Sequence, residues 1–134
     1  MALAGVTSGL IGMGQRVTWR AKHLGVWQNL TSEITAMEPP AYFQDTMVQG
    51  AFRFMRHDHF FRQVSSDQTP LSSDKTEMQD VFCFAAPLSV LGRLAEIILL
   101  RRYMRALLRE RNVVLKRISE SSDWQKYLPA TSGR

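Results

Sequence analysis

In the stretch FRFMRHDHFF, residues 52–61, His57 and His59 stand two positions apart with Asp58 between them. On an extended chain, side chains two apart point to the same side, so both imidazoles would face one way and Asp58 the other. Three chemistries suit such a pair. With a carboxylate such as Asp45 or Asp80 it could hold zinc or iron. Polarised by either carboxylate, His57 could act as a general acid/base in the manner of a dehydratase or cyclase. Alternatively the groups form a satisfied polar cluster that orients an oxygen of a bound molecule or keeps strands in register. The last reading carries most weight, so His57, Asp45 and Asp80 are candidates for catalysis and no catalytic residue is assigned. The remaining histidine, His23, lies several strands away, and the single cysteine, Cys83, sits in an apolar run. No metal and no cofactor are therefore expected.

The elements that position these groups read as short alternating runs between turn signals, the mark of antiparallel strands. Strand-like segments cover about 3–8, 16–24, 26–37, 42–48, the 52–61 stretch and 76–86. Between them lie the glycine-rich GLIGMG, LG at 24 and 25, EPP at 38–40, Gly50, and a polar serine-rich loop at 65–75. Proline lacks the amide a ladder needs, which ends the third run. Paired residues in consecutive hairpins are symmetric about each turn and share a face. Starting from Trp19 as inward, one face collects Leu30, Ser32, Ile34 and Ala36, then Phe43, Asp45 and Met47. It continues with Met55, His57, His59 and Phe61, and ends with Met78, Asp80, Phe82 and Phe84. On this reading Asp45, His57 and Asp80 stand in register on three neighbouring strands, with His59 one step away. Thr18, Arg20, Lys22, Gln44, Arg56, Asp58 and Glu77 fall on the opposite face, as do Phe52, Phe54 and Phe60 unless a bulge near Gly50 shifts them.

After Pro87 a single helical pattern runs to about residue 120. Leu91, Leu94, Ile98, Met104, Leu108, Leu115 and Ile118 recur at spacings of three, four or seven, apart from one six-residue step, with arginines on the other side. SSDW at 121–124 suits a further short turn, and the PATSGR tail is expected to be disordered. The formal charge is +5, and between Leu88 and Glu120 eight Lys or Arg face three Glu. The basic character thus belongs to this segment, whose commonest meaning is the solvated face of a helix. No nucleic-acid motif or aromatic interleaving accompanies it. A peripheral contact with an anionic membrane is the minor reading.

At 134 residues the chain suits one domain, 1–134, large enough for a core without disulfides. A lone cysteine points to a reducing compartment. No apolar run approaches the ~20 residues of a membrane span, and the N-terminus lacks the charged region of a signal peptide. A soluble, cytoplasmic protein is expected.

Six strands and one long C-terminal helix, together with GVTSGLIGMG, VTWRAKHLG, LTSEITAMEPPAYFQD, GAFRFMRHDHFF and PLSVLGRLAE, resemble the SRPBCC superfamily. This is the START-like group that includes polyketide cyclase/dehydrase-like proteins. The resemblance implies an α+β helix-grip fold, a curved antiparallel sheet wrapped on the helix. It also implies a cavity between the two for a small hydrophobic molecule: a lipid, a polyketide-like or an isoprenoid compound. Trp19, Leu30, Ile34, Phe43, Met47, Met55, Phe61, Phe82 and Phe84 would line it, with Leu94 and Ile98 from the helix. Asp45, His57, His59 and Asp80 would read the polar end of the ligand. Members of the group begin with a strand and two short helices ahead of the segment with which this chain starts. Without that strand the 76–86 edge is left open, which invites homodimerisation.

Overall fold

The computed structural model describes residues 2–7, 9–23, 26–64, 75–85 and 93–128. The serine-rich loop, Pro87, Leu91 and the C-terminal tail lie outside them. Two compact units make up the chain, a strand unit of residues 1–7 and 11–85 and a second unit, of residues 8–10 and 86–134, that contains the helix.

The strand unit is one antiparallel sheet of β1 (Ala2–Gly5), β2 (Arg16–His23), β3 (Val26–Glu38), β4 (Tyr42–Gln49), β5 (Phe54–Val64) and β6 (Lys75–Ala85). Order in space equals order in the chain. Every connection is thus a hairpin, and β1 and β6 form the two edges. The first expected strand is shorter than its alternation suggests, because Gly5 turns the backbone at a φ of 80°. There the chain passes so close to β2 that an added Cβ would sit 2.1 Å from the Arg16 carbonyl oxygen. Gly5→Ala is therefore expected to destabilise the sheet by about 1–2 kcal/mol from the left-handed backbone alone, with the clash in addition. A lowered urea midpoint at unchanged slope is the measurement.

Alternation sets the faces. Val17, Ile34 and Met55 are buried on the inward side of the sheet, and Ser32 is buried beside them. The outer face is laced by cross-strand polar pairs such as Arg16 with Glu33, Thr18 with Thr31 and Thr35 with Thr46. Such pairs favour the register while adding little each.

Three register details differ from the expectation. A bulge between Ile34 and Ala36 places Met37, rather than Ala36, opposite Phe43. The β5–β6 pairing is slid by two residues, so Asp80 opposes His59 and Phe82 opposes His57. The slide conserves which face each residue occupies. Residues 50–53 form an irregular bend ahead of β5, and Phe52 leaves the outer face to pack its ring 5.5 Å from that of Phe84. Phe54 and Phe60 do remain on the exposed side.

In the helical unit, Met104 is buried among the described side chains of α1 (Arg93–Ser119), with Leu108 and Ile118 half-buried. Ser121 then caps a 3-10 turn over Ser122–Tyr127, accepting from the Asp123 amide. Ile98 is 54 % exposed. Among the described residues no helix is long and apolar enough to cross a membrane.

Candidate functional site

Asp45 on β4, His57 and His59 on β5 and Asp80 on β6 converge on the inward face of the sheet. Asp45 stands directly opposite His57, and Asp80 directly opposite His59. Two neighbouring imidazoles, their rings 3.9 Å apart and tilted by 43°, are thus flanked by a carboxylate on either side. His59 Nδ1 lies 2.8 Å from Asp80 Oδ1 and its Nε2 lies 3.2 Å from Asp45 Oδ2. His57 repeats the arrangement at longer range, its Nε2 being 3.4 Å from Asp80 Oδ1 and its Nδ1 3.9 Å from Asp45 Oδ2. Both rings are buried, and so is Asp80, while Asp45 keeps some solvent access. The shortest contacts belong to His59, a consequence of the two-residue slide.

The proton count of this arrangement is informative. A carboxylate only accepts, and a neutral imidazole donates from one nitrogen alone. His59 faces carboxylates with both nitrogens, so a neutral ring can donate to only one of the two.

Aromatic rings close the cluster. Phe43 stacks on His59 at 4.1 Å, Phe61 stacks on Phe43 at 5.9 Å, and Phe82 meets His57 edge-on at 5.2 Å. Phe84 continues the row against Phe82, and Met55 is buried opposite it. Ile34 is buried opposite Asp45. Leu30 and Met47 flank Gly50, their side chains within 3 Å of where a Cβ would stand. Trp19 shares the face through its pairing with Leu30, yet it is 44 % exposed. Its other neighbour is Ala2, too small to cover an indole. The Leu94 side chain lies outside the described residues.

The chain matches no family model, and neither a curated protein nor a solved structure matches it. What the site can do must therefore be argued from its own chemistry.

A second polar cluster on the opposite face escaped the sequence reading. Asp58 is 6 % exposed and accepts hydrogen bonds from the Tyr42 hydroxyl at 2.7 Å, Gln44 Nε2 at 2.6 Å and Arg56 Nε at 3.1 Å. Burial on its own would push the Asp58 carboxyl up. The bonds from Gln44 and Tyr42 and the charge of Arg56 outweigh it and hold the group below its ordinary value. The same carboxylate, with burial, raises the Tyr42 hydroxyl. The signal was present in the hairpin pairing, which sets Gln44 opposite Asp58 and Tyr42 opposite Phe60. Beside this cluster, an open recess of about 810 Å³ is lined by Tyr42, Phe60, Arg62, Glu77 and Gln79 among others. Of the expected cavity residues it includes Phe61 alone.

Proposed function

We propose that the chain is a helix-grip, SRPBCC-type binding module for a small apolar molecule carrying one polar end. Asp45, His57, His59 and Asp80 would receive that end, and Phe43, Phe82 and the neighbouring aromatic and methionine side chains would take the apolar body. The observation that supports this reading is the pairing of four converging ionisable groups with stacked aromatic rings on a single sheet face. Apolar walls with a few convergent polar groups are the usual form of a small-molecule site. A cyclase/dehydratase-type enzyme with His57 as acid/base is the second reading. It draws on the two carboxylates that face the two nitrogens of His57.

Native mass spectrometry of the purified full chain tests the first reading. A co-purified hydrophobic molecule, lost on denaturation, is the expected result, and a bare chain that also takes up no fatty acid or isoprenoid would end it. The same spectrum reports whether two chains pair along the Lys75–Ala85 edge. His57→Ala separates the two readings: a binder keeps most of its affinity for an apolar ligand, whereas an enzyme loses turnover.

A further inference from the structure

The geometry points to a divalent transition-metal site in the inward cluster, with His57 Nδ1, His59 Nε2 and Asp45 Oδ2 as ligands and Asp80 as the group that orients both rings. One ligand atom from each of Asp45, His57 and His59 lies within 4.8 Å of the others. His59 Nε2 and Asp45 Oδ2 are 3.2 Å apart, and His57 Nδ1 and Asp45 Oδ2 are 3.9 Å apart. Ligands about 2.0–2.1 Å from a tetrahedral ion stand about 3.3–3.4 Å from one another, so both separations from Asp45 are within about 0.6 Å of that spacing.

The orientation of the rings is the independent observation. Asp80 Oδ1 lies 2.8 Å from Nδ1 of His59 and 3.4 Å from Nε2 of His57. The same carboxylate oxygen is hydrogen-bonded to Nδ1 of His59 and stands at ion-pair distance only from Nε2 of His57, with the other nitrogen of each ring turned toward Asp45. A carboxylate behind a ligating histidine is the usual outer partner of a metal site, where it fixes the tautomer and presents the lone pair. The third donor here is an oxygen on the adjacent strand, so neither His23 nor a cysteine is required. Two histidines and one carboxylate leave coordination positions open and suit zinc or iron(II). This site rests on the four polar groups alone and is independent of any apolar ligand.

Titrating the full chain with cobalt(II) tests the proposal, together with a long-range nitrogen NMR spectrum of the histidines with zinc(II). One equivalent of cobalt is expected to give the visible bands of a nitrogen-ligated ion, and zinc to shift Nδ1 of one ring and Nε2 of another. Asp45→Asn and His59→Gln should abolish binding, Asp80→Asn should weaken it by about 10–100-fold, and His23→Gln should leave it unchanged. A cobalt spectrum that stays that of the hydrated ion would overturn the site. So would zinc shifts confined to His23, or binding that survives both Asp45→Asn and His59→Gln. The wild-type spectra decide the matter even where a variant fails to fold.

Discussion

His59→Ala is expected to lower the stability of the metal-free protein by about 2–3 kcal/mol, the usual cost of removing a hydrogen bond to a buried charged group. His59 makes the two shortest contacts in the inward cluster, to Asp80 and to Asp45. Its loss removes the shortest contact of the Asp80 carboxylate, whose separation from His57 is the longer 3.4 Å. Truncation also removes the ring against which Phe43 stacks. Because whole domains are stable by only about 5–15 kcal/mol, such a loss would show as a large drop in the urea midpoint. A double-mutant cycle identifies the cause. Asp80→Asn should cost less in the His59→Ala background than in the wild-type protein, because the two side chains act as a pair. A midpoint for His59→Ala within the scatter of surface substitutions would refute the account.

On the opposite face, Asp58→Ala is expected to cost about 2–3 kcal/mol at neutral pH, in the range of hydrogen bonds to charged groups. Three donors converge on the carboxylate. Summed separately their contributions would be larger, but the cluster is one side chain deep and Arg56 is half-exposed, so water stands ready to replace them. The pH dependence follows from the direction of the shift. The folded carboxyl is held below its ordinary value, so its contribution is fully present above the unfolded value of about 4. That contribution is lost as pH falls through the lower folded value. The stability gap between wild type and Asp58→Ala should accordingly be constant from neutral pH down to about 5 and close below about 4. A gap independent of pH would mean that packing, rather than the charge, supplies the stabilisation.

Face membership was legible in the sequence because it depends only on parity. Alternation and hairpin symmetry place Asp45, His57, His59 and Asp80 on one side whichever of two registers β5 and β6 adopt. The partner of each histidine depends on the full register, and a long serine-rich loop has no defined centre from which to count. Pairs such as Met55 with Phe84 and Phe61 with Met78 settle it in the folded sheet. Burial of Asp58 was hidden for a different reason. Alternation marks a residue as lying on the polar face, but it does not reveal that Tyr42, Gln44 and Arg56 will cover that residue with their own atoms.

The nearest-neighbour strand order has a consequence for how the inward cluster assembles. Asp45 and His59 are 14 residues apart and His59 and Asp80 are 21 apart, so each contact closes a short loop at small entropic cost. Local closures of this kind favour rapid folding. During synthesis the hairpin carrying the first carboxylate and both histidines emerges before Lys75–Ala85, and the second carboxylate arrives with the final strand. Docking that strand is the step at which the histidine pair acquires its second negative neighbour, which couples completion of the ribbon to completion of the charge balance.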